Sequence, residues 1–349
     1  MKPLPILALF LGTATMALAA PSPAVISSEF INPDAPYKEC HASTIVETTD
    51  GGLVAAWFGG TKERNPDVGI WVARHEGGQW QPAVEVANGV QADGSPRQPT
   101  WNPVLFQAPG GPLVLFYKVG PSPSKWWGMA LESTDGGKTW GAPRRLPDGI
   151  LGPIKNKPVV LADGAWLSPS STEGNPEGWL THFELSRDQG KTWERTAAVP
   201  QGPKIDAIQG SILFHRDGRL QTVGRTKQGV NFQTWSKDNG KTWSPLTAIE
   251  LPNPGSGTDA VTLADGRQLI VYNHNGHRAE EAKGDRWPLN VALSADGLKW
   301  RMALTLETEP NKSGYAYPAV IQTRDGLVHI TYTKNRERIV HVVVDPRKL

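Results

Sequence analysis

The sequence holds a single cysteine, Cys40, among its 349 residues. No intramolecular disulfide can therefore form, and the fold must be stabilised without such cross-links. No neighbouring group is suited to activate this thiol, so we predict a small, buried and unreactive side chain.

An excess of charge of either sign is also missing. Lys and Arg together number 36 and Asp and Glu 34, which gives a formal net charge of +2. Proteins that bind nucleic acid usually show a basic stripe or a strong excess of Lys and Arg, so we expect no nucleic-acid partner. The length suits two ordinary domains or one large all-β domain.

Long apolar runs are missing beyond the first twenty residues. There, Lys2 precedes an apolar run that ends in small residues, and Ala17-Leu18-Ala19 fits the A-x-A cleavage pattern. The run is too short to favour a membrane anchor over a signal peptide. We predict a signal peptide over residues 1–19, cleavage after Ala19, a single mature domain over residues 20–349, and a periplasmic or secreted protein that leaves the membrane.

Tryptophan, glycine and proline are plentiful, with 14, 37 and 30 copies. This composition favours many short strands joined by tight turns. The phrase Ser-x-Asp-x-Gly-Lys-Thr-Trp, here called the Asp-box, occurs three times and ends at Trp140, Trp193 and Trp243, with degenerate copies ending at Trp80 and Trp300. Their spacings of 60, 53, 50 and 57 residues are typical of a four-stranded propeller blade.

Six apolar runs broken by a Gly-containing turn interleave with these boxes, from "TIVETTDGGLVAAWF" to "AVIQTRDGLVHITY". Asp-Gly between alternating apolar residues is a strong hairpin signal. The sequence therefore predicts an all-β, six-bladed β-propeller. Pairing of the segment around Ile26–Ile31 with a C-terminal strand in "IVHVVVDP" would close the ring and leave no open edge.

The Asp-boxes themselves are better explained as structural turns than as a repeated active site. Copies that recur once per blade point outward around a ring and cannot converge on one substrate. Each box also offers too few carboxylates for a calcium site. We therefore expect neither a metal nor a cofactor.

The inner strands offer a more convergent set of residues. In a propeller these strands pass the central channel, and their starts line one mouth of it. Counting back eight or nine residues from each hairpin turn identifies His41, Asn102, Lys155, Gln209, Gly257 and Tyr317.

The boxes on a six-bladed pattern resemble the sialidase (neuraminidase) superfamily over nearly all of the mature chain. This resemblance implies a nucleophilic Tyr at the start of the last inner strand, which matches Tyr317 with Tyr315 as its neighbour. It implies carboxylate-binding arginines, matched by Arg225 and Arg286, and an acid/base carboxylate in the first blade's loop, where Glu63 or Asp67 would serve.

Two positions depart from that family's pattern. "CHASTI" replaces the Tyr/Phe-Arg-Ile-Pro motif, so His41, which ordinarily titrates near neutrality, takes the place of the first arginine. Gln209 takes the place of the glutamate that assists the nucleophile, and an amide cannot accept a proton as a carboxylate does. Alternatively, Tyr317 is only a channel-lining aromatic, His41 a structural imidazole, and Arg225 and Arg286 partners in salt bridges between blades.

Three functions follow. The first is a monomeric glycoside hydrolase acting on an anionic glycan, with catalysis by Tyr317, His41 and Glu63 or Asp67. In it Arg225, Arg286, Lys155, Gln209, Asn102 and Tyr315 bind substrate. The second is a polysaccharide lyase, in which His41 or Tyr317 removes the proton next to a uronate carboxylate. The third is a propeller that binds glycans without turning them over.

Overall fold

Antiparallel strands make up nearly all of the regular structure in the computed structural model, which describes residues 22–174, 178–202, 205–277 and 283–349. The signal peptide predicted over residues 1–19 lies outside these ranges. No helix in the described part of the chain is long and apolar enough to cross a membrane.

Six sheets of antiparallel strands follow one another along the chain, and each forms one blade. This confirms the predicted all-β six-bladed propeller. Only a 3-10 turn at Pro346–Lys348 adds helical structure within the described ranges. The strands are β1 Val25–Phe30, β2 Glu39–Glu47, β3 Leu53–Gly60, β4 Gly69–Glu76, β5 Gln79–Trp80, β6 Val84–Ala87, β7 Thr100–Gln107, β8 Leu113–Val119, β9 Trp127–Ser133, β10 Arg144–Arg145, β11 Val159–Val160, β12 Trp166–Gly174, β13 Gly178–Ser186, β14 Glu194–Arg195, β15 Ala207–Phe214, β16 Leu220–Thr226, β17 Val230–Ser236, β18 Thr247–Pro252, β19 Asp259–Thr262, β20 Gln268–Asn273, β21 Leu289–Ser294, β22 Arg301–Glu307, β23 Tyr315–Gln322, β24 Val328–Lys334 and β25 Arg338–Val344.

Blades 1 to 5 are built from β2–β6, β7–β10, β11–β14, β15–β18 and β19–β22. Blade 6 combines the last three strands with the first, in the order β23, β24, β25 and β1. Strand β1 pairs antiparallel with β25, so that Phe30 lies opposite Val340. The predicted closure is therefore confirmed, and the first and last strands of the described residues belong to the same sheet.

Burial falls from the axis of the ring to its rim. Every residue of β3 and of β8 is buried, because second strands are covered by the neighbouring blades on both faces. This explains why β3, with the sequence LVAAWFGG, has no charged residue along its length. By contrast, five of the six residues of β1 are exposed. Cys40 lies in the core at 1% exposure, and burial raises the pKa of its thiol to about 12.

The Asp-boxes form the turns between the third and fourth strands of their blades. In the copy that ends at Trp243, the Gly240 backbone N–H donates to Ser236 Oγ at 2.9 Å, and the Thr242 N–H donates to Asp238 Oδ1 at 2.8 Å. The same contacts recur in the other full copies. The box side chains thus satisfy the backbone of their own turn.

The box tryptophans join neighbouring blades. Trp243 of blade 4 stacks on Phe183 of blade 3, with ring centroids 4.0 Å apart and an interplanar angle of 12°. Trp193 of blade 3 packs edge-on against Phe116 of blade 2 at 5.9 Å. The repeated phrase therefore stabilises both a turn and the contact between blades.

Candidate active site

One end of the propeller collects the loops between the second and third strands of all six blades. Antiparallel pairing places these loops beside the starts of the inner strands, since Tyr315 at the start of β23 pairs with Lys334 at the end of β24. The hairpin turns and the Asp-boxes lie at the other end. A cavity of about 270 Å³ opens at this end, and every blade supplies described residues that line it.

A repeated β-bulge shapes four of the inner strands. Ala42, Asn102, Gln209 and Tyr317 have φ values of 58°, 36°, 57° and 53°, in the left-handed region that non-glycine residues rarely adopt. The strand register shifts at each of them. Each lies eight residues before its turn, so in blade 1 the equivalent position is Ala42, and His41 precedes it.

Positive side chains surround the ring of Tyr317. The guanidinium carbon of Arg225 lies 5.4 Å from the ring centroid and that of Arg286 lies 5.8 Å away. Burial lowers the pKa of Arg286 to about 10, although the nearby Tyr317 opposes this shift. The Tyr317 hydroxyl has no hydrogen-bond partner among the described residues. The predicted pair of arginines therefore meets the predicted nucleophile in one cavity.

A third arginine, Arg336, lines the same cavity and forms an ion pair with Glu63. It belongs to the turn between β24 and β25, where it also adopts a positive φ of 65°. Sequence reasoning missed Arg336 because it searched strand starts and loops near the boxes. A signal was present in "TYTKNRERIVHV", a polar turn between two apolar strands at the same end of the blade as Tyr317.

His41 lies beside Tyr317, with ring centroids 4.3 Å apart. Its Nδ1 contacts Thr333 Oγ1 at 3.1 Å, whereas its Nε2 is buried without a hydrogen-bond partner in the described structure. Burial, reinforced by the positive charges of Arg336, Arg286 and Arg225, holds the pKa of His41 well below its usual range. The imidazole is therefore neutral and does not titrate near neutrality as the sequence suggested.

Gln209 and Asn102 line the cavity as the sequence predicted. Gln209 is 2% exposed, and its Oε1 has no partner within the described ranges. In blade 5 the matching position is Gly257. A Cβ there would lie 3.3 Å from the Tyr317 ring and 3.4 Å from Gln209 Oε1. The absent side chain leaves room for the tyrosine.

Three predicted site residues do not line the cavity. Tyr315 is 2% exposed, and its hydroxyl donates to the Glu309 carbonyl at 2.9 Å. Asp67 is exposed and accepts hydrogen bonds from the backbone and side chain of Thr61 at 2.7 and 2.5 Å. Partial burial raises the pKa of Asp67, but the hydrogen bonds from Thr61 outweigh this effect and lower the pKa.

Lys155 is the third of these residues. It is 3% exposed, and its Nζ donates to the Thr258 carbonyl at 2.9 Å and to the carbonyl of Pro318, the residue after Tyr317. Burial lowers the pKa of Lys155 to about 7. Lys155 therefore holds the backbone next to Tyr317 in place and does not line the cavity.

Blade 3 contributes cavity residues that the sequence did not identify. Trp179 lies under Arg225, whose guanidinium carbon is 4.7 Å from the ring centroid. Glu173 pairs with Trp179 across β12 and β13, and burial raises the pKa of Glu173. Both residues lie at a hairpin tip, and their approach to the axis depends on how the blade is tilted in the ring.

Solved structures with a similar fold include several sialidases. A Hadza microbial sialidase is 15% identical with a TM-score of 0.75, covering 92% of this chain and 69% of that one. Trypanosoma rangeli sialidase is 17% identical with a TM-score of 0.68 and coverages of 89% and 54%, so this chain spans about half of that protein.

A Dyadobacter fermentans protein of unknown function is 17% identical with a TM-score of 0.74, covering 92% of this chain and 99% of that one. No match was found among curated proteins. At such identities the likeness shows the fold alone.

The fold is therefore a sialidase-like β-propeller. More particularly, the BNR repeat-like domain matches residues 51–330, and the chain belongs to that family. Among the described residues, no group of three or more His, Cys, Asp or Glu side chains is placed to hold a metal ion.

Proposed function

We propose that this protein is a glycoside hydrolase that cleaves an anionic sugar, of the sialic or uronic acid type, from a glycan. The observation that carries the proposal is the convergence of Arg225, Arg286 and Arg336 on Tyr317 in one cavity. Guanidinium groups bind carboxylates with paired, charge-assisted hydrogen bonds. A neutral tyrosine nucleophile avoids the repulsion that a carboxylate nucleophile would meet at a negatively charged substrate.

His41 can replace the carboxylate that Gln209 does not supply. His41 Nε2 has no partner among the described residues, and the imidazole ring lies beside the phenol. A substrate carboxylate bound to the arginines would offset the positive charges that lower the pKa of His41 and so let the imidazole accept a proton. In this mechanism His41 accepts the hydroxyl proton as Tyr317 Oη bonds to the anomeric carbon, and the glycosidic C–O bond breaks. Water then displaces the tyrosine, which recovers its proton.

Glu63 is the carboxyl best placed to protonate the leaving oxygen, because its ion pair with Arg336 sets it next to the arginine cluster. A substrate carboxylate would compete with Glu63 for Arg336. The released Glu63 carboxylate would take up a proton from solvent and donate it to the glycosidic oxygen, and it would recover a proton from the water that displaces Tyr317. Asp67, the other candidate from the sequence, is held by Thr61 in its own loop.

A second candidate function is elimination from a uronate polymer, which the neutral His41 favours. The three arginines would neutralise the uronate carboxylate and so make the adjacent C–H more acidic. His41 or Tyr317 would then remove that proton, and the C–O bond to the leaving sugar would break to give a conjugated alkene.

Mass spectrometry of digests in heavy-oxygen water separates these functions. The panel holds sialosides, uronate polysaccharides and neutral glycans. Hydrolysis adds one labelled water to the products, whereas elimination adds none and produces ultraviolet absorbance. Tyr317→Phe should abolish hydrolysis of the acidic substrate. Labelled products from neutral glycans only would contradict the proposal. Binding without turnover, unchanged in Tyr317→Phe, would show a glycan-binding propeller.

A further inference from the structure

A groove between blades 2 and 3 continues outward from the central cavity. It encloses about 350 Å³ and shares Pro123, Trp126 and Glu173 with the central cavity. Ligand pockets commonly measure about 300–1,000 Å³, so this space can hold part of a chain of sugars. The proposed hydrolysis at Tyr317 uses the central cavity and gives this groove no role.

The groove offers an aromatic surface with a charged hydrogen-bond donor beside it. Trp127 is half-buried, and the guanidinium carbon of Arg145 lies 5.1 Å from its ring centroid. Trp126 is 8% exposed and lines both the groove and the central cavity. Aromatic faces next to polar donors suit sugar rings, which have apolar C–H faces and polar edges.

Arginine and lysine side chains outnumber carboxyl groups along the groove and its junction with the central cavity. Arg145 is balanced by Asp148 at 3.4 Å, whereas Arg195 is exposed and has no ion-pair partner among the described residues. Lys125 and Lys227 lie where the groove joins the central cavity, together with Glu173. Because burial raises the pKa of Glu173, this carboxyl offsets the cations less than an ordinary carboxylate would.

We propose that this groove binds the second and third units of an acidic oligosaccharide whose terminal unit occupies the central cavity. The inference rests on the proposed function and specifies its substrate as a charged chain bound by its end. Trp126 and Glu173 each line both cavities. An oligosaccharide can therefore pass from one cavity into the other while it stays in contact with the protein.

Isothermal titration calorimetry of the Tyr317→Phe protein tests the proposal, because this variant should not degrade its ligands. The probes are oligogalacturonates and oligosialates of one to four units. In the better-bound series, we expect the trimer to bind at least about tenfold more tightly than the monomer, a difference of about 1.4 kcal/mol. Adding Trp127→Ala or Arg195→Met should reduce this ratio to below about threefold.

Arg301→Met, an exposed arginine in blade 5, is the matched control and should leave the ratio unchanged. Because Arg195 is exposed, its variant tests the groove even if Trp127→Ala destabilises the fold. Affinity that does not depend on length, a ratio retained in both groove variants, or no binding of either series would overturn the proposal. A length effect that the groove variants abolish, without turnover by the wild-type protein, would instead reject only the proposed hydrolysis.

Discussion

Tyr317 occupies a backbone conformation that costs on the order of 1 kcal/mol or more for a residue with a side chain. The cost is offset by a buried contact, since Lys155 Nζ donates to the carbonyls of Pro318 and Thr258. The bulge directs the ring toward the channel, and Lys155 fixes the bulge. A substrate-facing role for Lys155 is therefore unnecessary to explain its position.

Arg336→Met should weaken binding of an acidic monosaccharide by about tenfold to a hundredfold. The substitution removes a charge-assisted contact, each of which contributes about 1.5–3 kcal/mol. It also leaves Glu63 without its ion-pair partner beside the bound anion. Calorimetric titration of the two proteins with the ligand identified by mass spectrometry measures the effect.

Arg338→Met provides the control, because Arg338 begins β25 directly after this turn and does not line the cavity. The two variants change the net charge equally, so general electrostatic attraction cancels in the comparison. Equal affinities of the two variants would contradict the assignment of Arg336 to the anion-binding cluster.

Only some of the individual residues of the site could be predicted from the sequence. Asn102, Gln209 and Tyr317 follow from a constant offset because the bulge recurs at one distance from each turn. His41 is one residue from the bulge in blade 1, yet it still reaches the cavity. Arg336 and Glu173 lie on hairpin tips, and no local pattern states how far a tip leans toward the axis.

Strands β24, β25 and β5 carry a directed chain of hydrogen bonds. Trp80 Nε1, which can only donate, contacts His341 Nδ1 at 3.2 Å. His341 Nε2 therefore carries the proton and donates to His329 Nδ1 at 2.9 Å. Burial lowers the pKa of each histidine to about 4. The charge of His341 adds to this shift for His329, and the charge of His75 adds to it for His341. This chain joins blade 1 to blade 6.

Because His329 and His341 are buried, we expect the free energy of unfolding to decrease as the pH falls from about 6.5 to about 4. In that window the unfolded histidines bind protons and the folded ones do not, so acid favours unfolding. Each histidine contributes at most about 1.4 kcal/mol per pH unit. Urea denaturation at pH 6.5, 6.0, 5.5 and 5.0 should show a smaller slope for His329→Gln/His341→Gln than for the wild-type protein.

Three ionisable side chains lie close to the His329–His341 pair and affect the choice of a control variant. Glu29 lies 3.3 Å from His341 Nδ1, His75 packs against His341, and Asp325 partly offsets the shift of His329. His75→Gln is the control, because His75 contacts the chain without joining it. If its slope changed as much as that of the double variant, the effect would not belong to the buried pair.

The strands could be predicted where a short stretch of sequence contains the whole pattern of a hairpin. Asp-Gly turns and alternating residues define two strands within about fifteen residues, so all six hairpins appear in the structure. Three outer strands are short, because β5, β10 and β14 have two residues each. Such strands have no periodicity of their own, and the box turns that precede them were the only indication.

The whole ring depends on the pairing of β1 with β25. Removing residues 25–31 should lower the free energy of unfolding by several kcal/mol, at about 1 kcal/mol for each ladder hydrogen bond lost. It should also promote association, because the freed edge of β25 can pair with another chain. Chemical denaturation and size-exclusion chromatography measure the two effects.

A synthetic peptide covering residues 22–34 should restore stability to the truncated protein when it is added in excess. The same peptide with Ser28→Pro should not, because proline removes a backbone donor and disrupts the ladder. Full stability of the truncated protein without peptide would show that the closing strand is dispensable.

A sheet that contains both the first and the last strand also constrains the order of events during synthesis. Strand β1 emerges from the ribosome first, but its partner β25 becomes available only after more than three hundred further residues have followed. Until then blades 1 to 5 can stack while the ring stays open. The ring closes only when β23, β24 and β25 have joined β1 in blade 6. A stalled or shortened chain would therefore lack the closed ring altogether, and the cavity that includes Tyr317 and Arg336 would form last.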